Sequence, residues 1–175
     1  MPVVAVSPDP KIAVCPGSYD PITYGHLDVI TRAAQIFDEV VVGIVNVSVR
    51  TKPPLFSIEE RLDLIGQATA HLGNVRPQPF STLVVHFARE VGAHTIVKGL
   101  RAISDFEYEL EMNQLNRHQA PDIDTLYLMA SPRYSFLSSS GVKELATFGG
   151  NIEEYVPAAV APLLQERLTR QRTEG

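Results

Sequence analysis

The sequence has very little cysteine, no tryptophan and no long apolar run. Its one cysteine, Cys15, leaves no second thiol for an internal disulfide. Cys15 sits in an apolar stretch, where a buried structural thiol is expected. No apolar segment approaches the roughly 18 residues that a membrane-spanning helix requires. The opening "MPVVAVSPDPK" lacks the basic and apolar regions of a signal peptide. We therefore expect a cytoplasmic protein without a membrane partner.

Positive charge is also scarce. The chain has 15 lysines and arginines against 20 acidic residues, a formal net charge of −5. Broad binding to nucleic acid needs a basic face, so no nucleic-acid partner is expected and any affinity for phosphate must be local. The five histidines show no metal-ligand spacing with one another or with the cysteine. No metal site formed by protein side chains is predicted.

What the sequence does contain is an alternation of β and α patterns along 175 residues, about the length of one domain. Short apolar segments typical of buried parallel strands occupy 11–15, 39–46, 74–80, 94–99 and 124–130. The third is the weakest because it contains Pro77 and Pro79. The pattern predicts a single Rossmann-like, doubly wound α/β domain over residues 1–175, with a five-stranded parallel sheet and helices on both faces. Residues 1–9 and about 170–175 are expected to be flexible.

Two helix starts carry the sequence signature of a capping box. In Ser57 to Glu60 and in Ser104 to Glu107, a serine is followed three residues later by glutamate. These pairs predict that helices begin immediately after Ser57 and Ser104.

In a doubly wound sheet, ligands bind at the carboxyl ends of the strands, which directs attention to the loops there. The first is "CPGSYDPITYGH", from Cys15 to His26, which leads into a helix. Gly17 and Gly25 would let phosphates approach the backbone, and Ser18 and His26 would add donors at the helix N-terminus. A tight turn without any ligand explains the same residues equally well.

The loop after the fourth strand, "VKGLRAISDFEYE", places two cations at the end of a central strand. Lys98 and Arg101 need partners if they are buried. Either Asp105 forms an internal ion pair there, or a bound polyphosphate supplies the negative charge.

Two further loops offer weaker signals. Ser138 to Ser140 stand at a predicted helix start with Lys143 one turn on, which suits terminal phosphates, although plain N-capping needs only one serine. Lys52 follows the second strand and means nothing by itself. Neither G-x-G-x-x-G nor G-x-x-x-x-G-K-S/T occurs in the chain. The convergence of the loops at one sheet edge favours a phosphate-rich ligand.

Three blocks, "PGSYDPITYGH", "KGLRAISDFEYE" and "YSFLSSSGVKE", together resemble the phosphopantetheine adenylyltransferases of bacterial coenzyme A biosynthesis. These belong to the nucleotidyltransferase superfamily marked by an (H/T)-x-G-H motif. The resemblance runs from about Lys11 to the final helix. Here Thr23 holds the first motif position, and Lys98 stands where many members have arginine.

The resemblance implies reversible adenylyl transfer from ATP to 4′-phosphopantetheine, giving 3′-dephospho-coenzyme A and pyrophosphate. It implies Mg²⁺ bound through the ATP phosphates, coenzyme A as a feedback ligand, and a homohexamer. The implied catalytic residues are His26, Lys52 and Arg101. The implied ATP contacts are Ser18, Tyr19, His26, Gly99, Leu100, Arg101, Glu109, Tyr134, Ser135, Phe136, Leu137, Ser138, Ser139 and Ser140. The implied phosphopantetheine contacts are Ser18, Lys52, Val84 and Lys98.

Two rival hypotheses remain open from the sequence. A sister nucleotidyltransferase, acting on nicotinamide mononucleotide or using CTP with a phospho-alcohol, would share the (H/T)-x-G-H motif but not the second and third blocks. A non-catalytic nucleotide-binding protein would give no reason for cations at several strand ends together.

Overall fold

A computed structural model describes residues 10–46 and 53–173, with the backbone alone at 103–104 and 170–173. Its sheet has five parallel strands in the order β3-β2-β1-β4-β5. The strands are β1 (Ile12–Gly17), β2 (Glu39–Val45), β3 (Val75–Phe80), β4 (Thr95–Leu100) and β5 (Asp124–Met129). The chain builds outward from β1 to β3 and then returns beside β1, so strand order reverses between β1 and β4. The predicted doubly wound sheet is confirmed, with strand boundaries shifted by only a few residues.

Helices cover both faces of the sheet, as predicted. They are α1 (Tyr24–Ile36), α2 (Ile58–Thr69), α3 (Val84–Glu90), α4 (Ile103–Gln119), α5 (Ser139–Thr147) and α6 (Val160–Thr173). A short 3-10 helix spans Pro132–Tyr134. Helix α6 continues beyond residue 170, where the sequence predicts a flexible end, and residues 1–9 lie outside the described part. Within that part, no helix combines the length and apolar character needed to cross a membrane.

Alternate residues of the central strands pack into two hydrophobic cores on opposite faces of the sheet. Ala13 and Cys15 of β1 point into a core shared with α1, α2, α5 and α6, whereas Val14 points into a second core with α3. Burial raises the pKa of the Cys15 thiol to about 12, so it stays protonated at neutral pH and is inert. The prediction of a structural cysteine is confirmed.

Strand β3, which the sequence predicts least clearly, is an outer strand of the sheet. Among the described residues β3 pairs with β2 alone. The lack of an N–H on Pro77 and Pro79 is tolerated there, because an edge strand has one side without a neighbouring strand.

One of the two predicted capping boxes is present and one is wrong. Ser57 caps α2, accepting the Glu60 N–H at 3.2 Å while the Glu60 carboxylate accepts the Ser57 N–H at 2.8 Å. Helix α4 instead begins at Ile103 after Ala102, without a side-chain cap. The helix therefore already includes Ser104, which the sequence places before its start.

Candidate active site

The turn between β1 and α1 is built around a buried tyrosine. Tyr19 has a positive φ of 47°, and its hydroxyl donates to the Cys15 carbonyl at 2.9 Å. A Cβ on Gly17 would lie 2.9 Å from Cε2 of that ring, so glycine at this position makes room for Tyr19. Tyr19 as a whole is only 4% exposed, so its ring belongs to the core, and its contact with ATP stays a prediction.

His26 takes part in a capping box that the sequence analysis missed. Thr23 is the N-cap of α1: its Oγ accepts the His26 N–H at 3.4 Å, and its own N–H donates to His26 Nδ1 at 3.1 Å. The imidazole thus stands where the usual box has glutamate or glutamine. Since Nδ1 accepts, the neutral ring carries its proton on Nε2. Nε2 donates to no side chain or backbone group in the described residues, and is available to a substrate.

The surroundings of His26 keep its ring neutral. Burial, and then the positive charge of Arg101, lower the pKa of His26 from 6.5 to about 4. The Tyr19 ring meets the imidazole edge-on, with centroids 5.0 Å apart. His26 at neutral pH is therefore an oriented N–H donor and not a cation.

This depressed pKa predicts how stability depends on pH. The unfolded state binds more protons than the folded state between pH 4 and 6.5, so the free energy of unfolding rises with pH through that window. The contribution is fully present above pH 6.5 and lost towards pH 4, by roughly 3 kcal/mol. Urea unfolding at pH 4.5 and 7.5 measures it, with His26→Gln as control. An equal pH dependence in that variant would rule out His26 as the source.

Asp20 ties three segments together beneath this turn. Its side chain is 8% exposed and accepts the N–H groups of Leu55 and Phe56, each at 2.9 Å, and the Lys143 ammonium at 2.8 Å. The carboxylate thereby joins the β1 turn to the segment before α2 and to α5. Sequence reasoning left the role of Asp20 open, and the structure assigns it this bridging position.

Arg61 is the second buried charge of the region. It is 3% exposed, and its guanidinium donates to the carbonyls of Ser18 at 2.8 Å, Val45 at 3.2 Å and Ser57 at 3.3 Å. No carboxylate of the described residues lies within 4.0 Å of it. Burial lowers the pKa of Arg61, but an arginine remains charged at any ordinary pH. Backbone carbonyls at the ends of β1 and β2 balance this charge.

The two cations at the end of β4 have internal partners. Arg101 pairs with Asp105 at 3.0 Å, which confirms the ion-pair alternative, and Lys98 pairs with Glu109 at 2.8 Å. Arg101 also donates through Nη1 to the Leu137 carbonyl at 2.6 Å. A guanidinium has five donors and an ammonium three, so both groups keep N–H donors for a ligand.

Gly99 is exposed, and close packing against α1 explains why a glycine stands at this position. A Cβ there would lie 2.8 Å from Cγ2 of Val29 on α1, so glycine allows α1 to pack closely over β4. Leu100 is half-buried at the same strand end. Both residues are among the ATP contacts that the resemblance implies.

The three serines before and within α5 do different things. Ser138 is the N-cap, accepting the Gly141 N–H at 3.0 Å, while the Ser139 hydroxyl donates to the Pro21 carbonyl at 2.7 Å. Ser140 is exposed. The N–H groups of Ser139 and Ser140 have no acceptor in the described residues, which leaves the N-terminus of α5 open to an anion.

The segment from Tyr134 to Leu137 lies beside α1. Tyr134 stacks on Tyr24 with ring centroids 6.3 Å apart, and Phe136 is 69% exposed. The Ser135 hydroxyl donates to the Pro132 carbonyl at 3.1 Å. Leu137 is 6% exposed and its carbonyl accepts from Arg101; its contact with ATP stays a prediction.

Most of the predicted residues meet at the carboxyl ends of the strands. Arg101 to Leu137 joins the β4 and β5 loops, and Ser139 to Pro21 joins the β5 and β1 loops. Val84 begins α3 after the carboxyl end of the outer strand β3, and no hydrogen bond joins it to another site residue that the structure describes. Lys52 lies outside the described residues.

The residues that sequence reasoning missed are those whose role depends on burial. Arg61 belongs to a charged run that indicates solvated surface, and Asp20 lies in a turn; no spacing signals that either side chain is enclosed. The Thr23 box was findable, because an N-cap threonine precedes an imidazole acceptor at the usual distance of three residues.

Comparison with known proteins gives consistent matches. The family model described as cytidylyltransferase-like matches residues 14–145. A phosphopantetheine adenylyltransferase from Desulforudis audaxviator is 54% identical over 165 residues, covering 94% of this chain and 99% of that protein. A phosphopantetheine adenylyltransferase from Heliobacterium modesticaldum is 48% identical over 156 residues, covering 89% of this chain and 92% of that protein. A solved structure from Vibrio parahaemolyticus, assigned as a nicotinate-nucleotide adenylyltransferase, has a TM-score of 0.64 at 19% identity, covering 88% of this chain and 97% of that one. This last likeness concerns the fold alone.

Proposed function

Because the chain belongs to the phosphopantetheine adenylyltransferase family, we propose that it transfers the adenylyl group of ATP to 4′-phosphopantetheine. The observation that carries the proposal is the meeting of the β1, β4 and β5 loops beside His26, whose Nε2 has no partner among the described residues. These loops contain the three sequence blocks that resemble the family. The products are 3′-dephospho-coenzyme A and pyrophosphate.

The chemistry needs donors and charge, and no protein nucleophile. A phosphate monoester is already anionic at neutral pH, so an oxygen of 4′-phosphopantetheine attacks the α-phosphorus of ATP as the bond to the pyrophosphate oxygen breaks. Catalysis then comes from positioning and from stabilising the charge that develops. We assign the His26 Nε2–H to the α-phosphate, where its hydrogen bond strengthens in the transition state.

The remaining donors divide between the two substrates. Arg101 and the open N-terminus of α5 suit the β and γ phosphates of ATP, and the exposed Ser18 suits a place between the substrates. Lys98 and Lys52 are assigned to the phosphate of the acceptor, with Val84 beside its pantetheine arm. The other ATP contacts named above remain part of the proposal through whichever of their groups are open.

We assign Mg²⁺ to the phosphates of ATP. In the described residues no three histidine, cysteine or acidic side chains group as metal ligands. Asp20, Asp105 and Glu109 are each engaged by a cation. When bound to the ATP phosphates, Mg²⁺ would neutralise charge there.

One assay tests the activity. The protein is incubated with ATP, Mg²⁺ and 4′-phosphopantetheine, and dephospho-coenzyme A and pyrophosphate are expected in equal amounts. A parallel reaction with nicotinamide mononucleotide separates the sister activity. Dinucleotide formed from that acceptor at the greater kcat/KM would overturn the proposed substrate.

Lys52→Ala tests how the cations divide between substrates. We expect the KM for 4′-phosphopantetheine to rise about tenfold or more while the KM for ATP changes little, because one phosphate contact is lost. Steady-state kinetics with each substrate varied in turn measure this. Lys11→Ala, at the amino end of β1 on the opposite edge of the sheet, should change neither constant. Equal increases in both KM values for Lys52→Ala would contradict the assignment.

A homohexamer and feedback by coenzyme A also belong to the proposal. Helix α4 supports an oligomer because Phe106, Tyr108, Leu110 and Leu115 are 47% to 54% exposed on it. Several exposed apolar side chains on one helix are a feature of surfaces that contact another protein. Coenzyme A shares the pantetheine arm of the acceptor, so it should compete with 4′-phosphopantetheine in kinetic assays.

Leu115→Glu tests whether α4 holds the subunits together. We expect light scattering to give about six times the 19.2 kDa chain mass for the parent protein and a smaller assembly for the variant, because a buried unpaired charge is costly. Ile36→Glu, an equally exposed position on α1, is the control. An unchanged mass for Leu115→Glu would remove α4 from the interface.

A further inference from the structure

Arg61 holds a carbonyl that belongs to the candidate active site. Of its three carbonyl partners, that of Ser18 is the closest, at 2.8 Å. Ser18 follows the last residue of β1, and its side chain is exposed at the site while its carbonyl is drawn inward to Arg61. The buried guanidinium therefore fixes which way this backbone turns.

The direction of the Ser18 carbonyl also sets the direction of the Tyr19 N–H, because both belong to one peptide group. In a trans peptide the C=O and the following N–H point in opposite directions. With the Ser18 carbonyl held by Arg61, the Tyr19 N–H is directed away from Arg61, and it donates to no group in the described residues. An N–H left without an acceptor in the interior is rare, so this one faces water or a ligand.

The conformation that exposes this N–H is one that tyrosine seldom adopts by itself. Tyr19 has a φ of 47°, in the left-handed region that costs energy for a residue with a side chain. Rotation of the Ser18–Tyr19 peptide to the common region would turn the N–H inward and present a carbonyl oxygen to the site. A carbonyl oxygen there would repel a phosphate.

We propose that Arg61 is a positioning residue that holds the Ser18–Tyr19 peptide with the Tyr19 N–H presented to a phosphate oxygen of ATP. The inference rests on the proposed function, since it is that reaction which places ATP at this turn. Arg61 itself lies behind the turn and touches no substrate. Its buried charge, which has no carboxylate within ion-pair distance in the described residues, is retained for this backbone geometry.

Arg61→Lys is the test, with Leu64→Ala as the matched control. Lysine keeps the charge but lacks the planar fork that reaches several carbonyls at once. Leu64 is buried on the same helix α2, so its truncation weakens α2 packing without touching the Ser18 carbonyl. Both variants are assayed well below their melting temperatures, and kcat is expressed per folded molecule.

We expect Arg61→Lys to lose about 10²-fold in kcat, the typical cost of misplacing a reacting contact by about 1 Å. The KM values should change less than about threefold, because the contact grows in the transition state. Arg61→Met should lose at least as much if it folds. Leu64→Ala should keep its kcat.

Parent-like kcat in Arg61→Lys, or an equal loss in Leu64→Ala, would overturn the inference. Absence of dephospho-coenzyme A from the parent protein would instead overturn the proposed function, so the two failures are distinguishable.

Discussion

His26→Ala is expected to fold and bind ATP but to lose about 10²- to 10³-fold in kcat, the usual effect of removing one transition-state donor. The Nε2–H of His26 has no partner in the described residues and its ring is held by Thr23 through Nδ1. Its interaction with the α-phosphate grows only as charge develops there. Single-turnover kinetics and calorimetric ATP binding separate the two quantities.

The alanine variant also removes half of the capping box, so a second variant is needed. Glutamine at this position is a usual member of such boxes. His26→Gln should therefore retain the stability of the parent near neutral pH while losing most of the same activity. Turnover within about threefold of the parent in both variants would contradict the assignment of His26.

Asp20→Asn is expected to lower the free energy of unfolding by about 3 kcal/mol, near the lower end of the range for breaking a buried charge pair. The amide cannot accept from Leu55, Phe56 and Lys143 at once, because its NH₂ group must face at least one donor. The lower end applies because the Lys143 side chain is 30% exposed. Urea unfolding near pH 7 measures the loss.

Asp63→Asn is the matched control, since Asp63 is exposed on α2 and bonds only to Gln67 in the described residues. It should stay within about 0.5 kcal/mol of the parent. A loss for Asp20→Asn as small as that for Asp63→Asn would show that the bridge beneath the β1 turn contributes little to stability.

The sheet was predictable because its physical signal is local. Buried parallel strands appear as short apolar runs, and even the doubtful β3 was identified, since Pro77 and Pro79 are compatible with an edge strand. Helix starts were less predictable. Ser104 and Glu107 have the spacing of a capping box, yet α4 begins before them after Ala102.

The position of the site was predictable from the sequence, but the burial and the ion pairs of its side chains were not. Sequence alone left Arg101 with either an ion pair or a polyphosphate, and only the structure places Asp105 at 3.0 Å from it. Tyr19 and Leu137 belong to blocks that resemble a nucleotide site, yet their side chains are buried. Burial depends on contacts between distant segments, which spacing along the chain does not encode.

The most direct test of the account follows the α-phosphorus of ATP. The parent protein is supplied with ATP labelled at the α-phosphate, with Mg²⁺ and with 4′-phosphopantetheine, and the products are separated. We predict that the label appears in dephospho-coenzyme A and that pyrophosphate is unlabelled. Label confined to ATP, or released as free AMP, would contradict adenylyl transfer to this acceptor.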